Sequence, residues 1–310
     1  MYMKNYVCLF VALFIWCSLI PVLMPYKIEG QAVSDSVAET SEDINTEIQI
    51  RYQDTNESIK TMPLEEYVAR ALSVIMDENS PPEALKAQAV AVRSVVCYRY
   101  ENVEHDGYEL CSDPDHCFSV SGVLTTKATE ASFATKGEVL TYNGNAVLAL
   151  SHPSSCVSTE SYETVYGKKL DYLTATRVYD ESVFEDYKQV YKIDKSAFRK
   201  AFSDYNVVFS DDDEDWIGKT EFTGGNRVYT IEVGGLCFKG ATVAKLLKLQ
   251  SVCFNIESTD SGFNVSCYGI GNGVGMSRYT AVLMAMEGKN YRDILEYFYK
   301  DTLISHIKSE

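Results

Sequence analysis

The sequence predicts an α+β fold in which short, largely antiparallel strands pack around helices. Segments with the two-residue period of strands and segments with helical period are interspersed, without the regular strand–helix–strand alternation of a parallel sheet. The 310 residues are 46% hydrophobic, which is enough to bury one large core or two smaller ones. We therefore expect one folded domain over residues 46–305.

The first elements of this domain are a hairpin and two helices. Residues 48–52 alternate between apolar and polar side chains, which predicts a half-buried strand, and a second short strand follows a turn at 54–56. Two helical runs then meet at residues 80–82, where a serine N-cap and an early proline favour the start of a helix. We predict a central helix from Glu83 to about Tyr100.

Later segments predict further short elements. Residues 125–150 indicate a helix, a break at Gly137 and two strands joined at Asn143-Gly144, a dipeptide typical of tight hairpins. The stretch from Gly224 alternates through two strands and becomes helical over residues 241–249.

The N-terminal segment predicts a membrane anchor. Residues 6–25 are uncharged and almost wholly apolar, over the length that a membrane-spanning helix needs. Lys4 precedes this span and no small-residue cleavage pattern follows it. We expect residues 1–5 in the cytoplasm, a flexible polar linker over residues 26–45 and an extracytoplasmic domain at the cell membrane; a cleaved signal sequence is the alternative.

Composition restricts the partners and the cysteine chemistry. The net charge is −16, whereas nucleic-acid binding depends on Lys and Arg that neutralise phosphates, so we expect no nucleic-acid partner. Of the nine cysteines, Cys8 and Cys17 lie in the apolar span and seven lie outside it. Because seven is odd, at least one of these thiols is free or bound to something else.

Four segments of the chain occur in the order of a known family pattern. The run EEYVARAL followed by PPEALKAQAVAVRS resembles the signature of the SpoIID/LytB family, the stage II sporulation protein D group of peptidoglycan lytic transglycosylases and amidase enhancers. SHPSSCVSTESYETVYG, the strands and helix after Gly224, and GIGNGVGMSRYTAVLMAMEG resemble its later motifs. The resemblance covers roughly residues 47–299 and implies a wall-associated protein.

The resemblance also identifies a missing acid. In that family a glutamate lies eight positions before the residue that corresponds to Glu83, and this chain has Ile75 there. Glycan cleavage needs a proton delivered to the leaving oxygen, which isoleucine cannot supply. Glu78 is a possible substitute, but it lies about 60° further round the helix and about 4.5 Å along it.

Several polar residues at the motif positions are predicted to bind substrate. Lys86 and Arg93 share one face of the central helix, and Asn272 and Arg278 replace a family histidine and glutamine. Cys156-Val157 replaces a glycine pair, which puts in question a backbone conformation that favours glycine. The predicted substrate-binding residues are Lys86, Arg93, His152, Ser154, Ser155, Asn272, Ser277, Arg278 and Tyr279.

One loop predicts either a metal site or a disulfide. Cys111, His116 and Cys117 offer sulfur and nitrogen donors within seven residues. A disulfide between Cys111 and Cys117 would clip the same loop. The resemblance implies zinc held by Cys111 and His116, with Cys117 as a further ligand.

Three functions follow from these observations. The first is a catalytically degenerate family member that binds glycan strands in wall remodelling or sporulation and supports a partner wall hydrolase. The second is an active lytic transglycosylase that uses a displaced carboxylate, with Glu78 as the candidate. The third is a wall protein that depends on metal at the cysteine and histidine loop.

Overall fold

The computed structural model describes residues 48–102, 105–111, 113, 116–120, 122–210 and 213–307. The predicted cytoplasmic tail, anchor and linker over residues 1–45 lie outside these ranges. Within them, no helix combines the length and the apolar character that crossing a membrane requires.

The described residues form short strands and helices that are interspersed along the chain. The helices are α1 (Leu64–Ile75), α2 (Pro82–Glu101), α3 (Thr126–Ala134), α4 (Tyr162–Tyr166), α5 (Lys195–Ala201), α6 (Gly240–Leu246), α7 (Arg278–Met286) and α8 (Tyr291–Phe298). The strands are β1 (Gln49–Gln53), β2 (Ile59–Pro63), β3 (Glu138–Tyr142), β4 (Asn145–Ala146), β5 (Ser151–His152), β6 (Lys188–Asp194), β7 (Ile217–Phe222), β8 (Val228–Val233), β9 (Leu236–Lys239), β10 (Phe254–Thr259), β11 (Gly262–Tyr268), β12 (Met276–Ser277) and β13 (Leu303–His306).

The strands belong to several small sheets. Their orders are β1-β2, β13-β3-β4, β10-β11-β6, β7-β8-β9 and β12-β5. These ladders are antiparallel except for the two-residue β5/β12 pair, which is parallel. Asn143 and Gly144 join β3 to β4 with positive φ, as a tight hairpin of this type requires. The prediction of helices mixed with short antiparallel strands is confirmed.

Helix α2 is buried on two opposite faces. Val90 and Ala91 belong to a first apolar cluster with side chains of α7 and α8, and Val92 and Val96 belong to a second cluster with α1, α3 and β1. Small side chains along α2 let all these elements approach closely. The predicted span of this helix is confirmed. The predicted serine cap is wrong, because Pro81 occupies the N-cap and forms no side-chain capping bond.

A buried ion pair connects α1 to α2. Arg93 is fully buried and forms two hydrogen bonds to the Glu65 carboxylate, at 3.0 and 2.5 Å. Its guanidinium also donates to the carbonyl oxygens of Ser132 and Glu138, each at 3.0 Å. Glu65 in turn accepts from the Ser132 hydroxyl and the Gly137 amide. The pair therefore ties α1, α2, the end of α3 and the start of β3 together.

A third apolar cluster lies in the middle of the chain. Phe198, Trp216 and Phe263 pack together with side chains of β8, β9, β10 and α6. Strand β11 lies between β10 and β6, so this cluster is closed by a three-stranded sheet. Arg227, just before β8, donates from this region to Ser155, and Cys253, just before β10, lies against the Asn226 carbonyl oxygen.

We predict that Arg93→Met strongly destabilises the domain. The substitution removes a buried cation and leaves the Glu65 carboxylate without its partner, which typically costs about 3–5 kcal/mol. The free energy of unfolding in urea measures the effect. Arg70→Met is the matched control, because Arg70 pairs with Glu66 at the surface of α1 and its loss should change stability little. Equal effects of the two substitutions would contradict a structural role for the buried pair.

Candidate functional site

Two distant segments of the chain join at the candidate site. The segment that begins with β5 and the glycine-rich segment that ends in β12 run beside each other, with Ser151 paired to Met276 and His152 to Ser277. Isolated bridges from Ser154 to Ile270 and from Glu160 to Val274 extend the contact. The two motifs that the sequence suggested therefore form one structural unit. We call this unit, residues 151–160 and 269–280, the loop site.

The glycines of the second segment are required by close packing. A Cβ atom at Gly275 would lie 1.9 Å from the Leu150 carbonyl oxygen, and one at Gly273 would lie 2.4 Å from the Arg227 guanidinium. Both glycines have positive φ. The backbone at these glycines therefore lies close to other atoms of the same chain, those of Leu150 and Arg227. Cys156 and Val157, in contrast, lie outside the left-handed region, so the loss of the family's glycine pair causes no backbone strain here.

His152 lies at the start of a buried hydrogen-bonded chain. Its Nδ1 is 3.1 Å from the Val274 carbonyl oxygen, which can only accept, so this nitrogen carries the proton. Its Nε2 then accepts from the Ser155 hydroxyl at 2.6 Å, and Arg227 Nη2 donates to the same hydroxyl oxygen at 3.1 Å. His152 is 3% exposed and Ser155 is fully buried, so in this conformation both side chains are enclosed by protein.

Glu181 holds the same loops from the other side. Its carboxylate accepts from the side chains of Ser154 and Ser277, and from the side chain and amide of Thr280. The amide of Ser155 donates to it as well, at 2.8 Å. Glu181 is 1% exposed. Sequence reasoning missed this residue, because it lies in a segment without a motif and its partners are far away in the chain.

Arg278 is a cation of this region for which the described residues provide no partner. It opens helix α7 close enough to His152 to lower the pKa of the imidazole. No residue in the described part of the chain forms a hydrogen bond or an ion pair with its guanidinium. Burial lowers the pKa of Arg278 to about 10, so the side chain remains charged at neutral pH. A half-buried guanidinium of this kind can donate hydrogen bonds to an anionic or hydroxyl group of a ligand.

The remaining predicted residues of the glycine-rich segment differ in exposure. Asn272 is exposed, and its amide donates to the Tyr166 hydroxyl at 2.9 Å. Tyr166 stacks on Tyr162 with ring centroids 4.5 Å apart. Tyr279 is half-buried and donates to the Asp186 carboxylate at 2.6 Å. Asn272, Tyr162 and Tyr166 therefore form a solvent-facing rim beside the buried site.

The cations of helix α2 have separate roles. Lys86 pairs with Glu83 at 2.7 Å, and the Glu83 carboxylate also accepts from the Tyr291 amide at 2.9 Å. Although burial raises the pKa of Glu83, these two bonds lower it below its usual value. Arg93 lies in the core as described above. Of the two predicted cations on this face, only Lys86 reaches the surface.

Ile75 and Glu78 lie where helix α1 ends. Ile75 is its last residue and packs against the second apolar cluster. Glu78 lies beyond the helix and is exposed, as is Asp77. Glu78 and Asp77 therefore face solvent, whereas Ile75, at the predicted acid position, packs against the core.

Four donors converge at the cysteine and histidine loop. His116 Nδ1 lies 3.4 Å from Cys111 Sγ and 3.5 Å from Cys117 Sγ, and His105 Nε2 lies 3.7 Å from Cys117 Sγ. The four ligand atoms all lie within 4.8 Å of one another. Edges between sulfur and nitrogen of about 3.6 Å follow from tetrahedral zinc with ordinary bond lengths. Both cysteines are free thiols. His105 was missed, because it lies outside the short spacing that indicated the other three.

Comparison with known proteins agrees with this arrangement of motifs. A family model described as "SpoIID: Stage II sporulation protein" matches residues 52–142. The chain is 32% identical over 271 residues to the stage II sporulation protein D of Bacillus subtilis strain 168, covering 82% of this chain and 78% of that protein. The chain belongs to the SpoIID family.

Two further relatives extend this finding. The stage II sporulation protein D of Bacillus amyloliquefaciens is 27% identical over 275 residues, or 83% of this chain and 78% of that protein. The amidase enhancer of Bacillus subtilis strain 168 is 24% identical over 279 residues, or 72% of this chain and 38% of that protein. In this SpoIID family member, the segment matched by the family model contains α1, α2 and the cysteine and histidine loop.

We predict that His152 makes this SpoIID family member sensitive to acid. Burial, and then the nearby Arg227, lower the pKa of His152 to about 3 from a usual value of 6.5. Below pH 6.5 the unfolded chain therefore takes up a proton that the folded chain excludes. Stability that is present at neutral pH is lost as the pH falls from 6.5 toward 3, by up to about 1.4 kcal/mol per pH unit.

His152→Gln tests this linkage. The free energy of unfolding of the variant should fall less steeply below pH 6.5 than that of the unmodified chain. His306→Gln, at an exposed position, is the control and should follow the unmodified chain. A constant difference between His152→Gln and unmodified protein at all pH values would refute the assignment of this acid sensitivity to His152.

Proposed function

We propose that this chain is a catalytically degenerate SpoIID family member that binds peptidoglycan glycan strands at the cell membrane, in wall remodelling or sporulation. The observation that carries the proposal is Ile75, an apolar side chain packed against the core at the family's acid position. The names of the relatives, sporulation protein D and amidase enhancer, support a wall-related role and a partner wall hydrolase.

The other carboxylates near the core support the loss of activity. Four described carboxylates are buried. Glu65 is engaged by Arg93, Glu138 by Arg292, Glu181 by the hydroxyl groups of the loop site and Glu160 by the Thr223 hydroxyl. A carboxylate that is held by groups of its own protein is not free to turn toward a glycosidic oxygen. Glu78 is exposed, whereas general acids are usually kept protonated by burial.

The rim beside the loop site is the surface on which we place the glycan. Arg278 offers a charged donor without a protein partner in the described part of the chain, and Asn272 offers an amide at the surface. The stacked rings of Tyr162 and Tyr166 add an apolar, flat element next to Asn272. Carboxylates and hydroxyl groups on a sugar chain fit these donors, and a sugar face fits an aromatic ring. His152, Ser154, Ser155 and Ser277 position the rim from beneath.

Purified peptidoglycan sacculi test both halves of the proposal. The unmodified chain should sediment with sacculi and release no anhydro-muropeptides. Ile75→Glu should release them, because a carboxyl group packed against the second apolar cluster has a raised pKa and can donate a proton. Lys86 and Arg93 are each paired with another carboxylate, so neither counteracts this effect fully. General acid catalysis is typically worth about 10²- to 10⁴-fold.

Matched variants separate binding from catalysis. Ile75→Gln has nearly the same shape as Ile75→Glu and should stay inactive. Arg278→Ala should weaken sedimentation with sacculi about 10- to 100-fold, the value of a charge-assisted hydrogen bond, whereas Lys289→Ala at an exposed position should not. Release of anhydro-muropeptides by the unmodified chain, abolished by Glu78→Gln, would establish the active transglycosylase instead.

We also propose that the cysteine and histidine cluster holds a structural zinc ion. Two sulfur and two nitrogen donors make a complete tetrahedral set, which leaves no open position for substrate. The residues that would hold the ion are His105, Cys111, His116 and Cys117. Cys117 is buried in the second apolar cluster, so the ion would fasten this loop to helices α1 and α2. This role differs from the metal-dependent function considered above.

We predict one zinc ion per chain in protein purified without chelator. His105→Ala and Cys111→Ser should each lower the bound zinc and the melting temperature, because a structural zinc site stabilises the fold directly. His306→Ala should retain the metal. Protein without zinc that contains a mapped disulfide between Cys111 and Cys117 would contradict the proposal.

A further inference from the structure

A second pair of cysteines lies beside the loop site. Cys253 Sγ is 3.2 Å from the Asn226 carbonyl oxygen, and Cys156 Sγ is 4.0 Å from the same oxygen and 3.3 Å from that of Gly225. Both sulfur atoms therefore lie within 4.0 Å of one carbonyl oxygen. Both are free thiols, with Cys156 half-buried and Cys253 buried. They come from segments almost a hundred residues apart, so the fold alone places them together.

Arg227 gives this pair an unusual electrostatic environment. The side chain is 2% exposed and donates only to neutral groups, the Gly271 carbonyl at 3.3 Å and the Ser155 hydroxyl at 3.1 Å. Its Nε has no hydrogen-bond partner, and no described carboxylate forms an ion pair with it. A buried cation without a counter-charge is costly. A thiolate nearby would supply that charge.

Cys156 is the more acidic thiol of the pair. The pKa of Cys156 is lowered to about 7, first by the hydrogen bond from Cys253 and then by Arg227, although burial opposes both. The pKa of Cys253 is raised, first by the same hydrogen bond and then by burial. Tyr187, the other titratable group against Cys156, has its pKa raised to about 12 by burial and stays neutral. The half-buried Cys156 can therefore react as a thiolate. The buried Cys253 is the neighbouring thiol on its inner side.

We propose that Cys156 and Cys253 form a redox-active dithiol that reacts with small-molecule disulfides such as oxidised glutathione. Both residues lie outside the metal cluster and the predicted glycan-binding residues, so the proposal is independent of the function above. Cys156 stands where the SpoIID-like pattern has glycine, which makes the thiol a property of this chain.

The reaction is a two-step thiol–disulfide exchange. The Cys156 thiolate attacks one sulfur of oxidised glutathione, the disulfide bond of the oxidant breaks, and one glutathione thiolate leaves. Cys253 then loses its proton to solvent and attacks Cys156 Sγ, which expels the second glutathione thiolate. Two cysteine thiols are oxidised to one disulfide, and one molecule of oxidised glutathione is reduced to two thiols. The new bond would connect the loop of His152 and Ser155 to the start of β10.

Peptide mapping of the full chain in a glutathione redox buffer tests the proposal. The unmodified chain should yield a Cys156–Cys253 cross-linked peptide. Cys253→Ser should stop at a mixed disulfide between Cys156 and glutathione, and Cys156→Ser should leave Cys253 as a thiol. Cys97→Ser is the matched control and should leave the cross-link unchanged, because burial raises the pKa of the half-buried Cys97 to about 12.

Two outcomes would overturn the proposal. One is a Cys156 thiol that persists under conditions in which the exposed Cys237 becomes glutathionylated. The other is unmodified protein in which Cys156 keeps its glutathione adduct without transfer to Cys253. Alkylation of the unmodified chain provides a readout without any variant: the rate at Cys156 should rise with a midpoint near pH 7, while Cys97 stays slow.

Discussion

The buried pair of Arg93 and Glu65 is the interaction on which the N-terminal half of the domain depends. Helix α2 is apolar on both faces, so by itself it would pack in many rotations about its axis. A fully buried guanidinium allows few of them, because each of its donors needs an acceptor at the right place. Glu65 and the carbonyl oxygens of Ser132 and Glu138 provide these acceptors. Charge satisfaction thus selects one arrangement from those that apolar packing permits.

The loop site also contains buried polar groups that each need hydrogen-bond partners, but these partners are neutral. Among the described residues, no cation pairs with the buried Glu181 carboxyl group, which accepts from hydroxyl and amide donors of two segments. No described carboxylate pairs with the buried Arg227, which donates to Ser155 and lowers the pKa of Cys156. A buried guanidinium without a counter-charge favours a negative charge next to it, and the proposed Cys156 thiolate would provide that charge.

The proposed function requires that the site keep its scaffold and lose the acid that cleavage needs. The two motif loops still pair through β5 and β12, and the glycines that allow this pairing are retained. The resemblance to the family motifs predicts that Ile75 occupies the acid position and that the half-buried Arg278 replaces a glutamine. A protein that holds glycan strands needs the scaffold and the rim donors, whereas cleavage additionally needs a protonated carboxyl group.

The sequence by itself determined the elements and the family. The strand period of residues 48–52, the Asn143-Gly144 turn and the small side chains of α2 are local signals, and local signals suffice where backbone geometry depends on neighbours in the chain. The four motifs likewise identify the SpoIID family. Tertiary structure alone decided the environment of each side chain. It placed Arg93 in the core, added His105 to the metal cluster, gathered polar groups around Glu181 and brought Cys156 to Cys253. Burial and charge pairing depend on residues far apart in the chain, and no spacing within one segment encodes them.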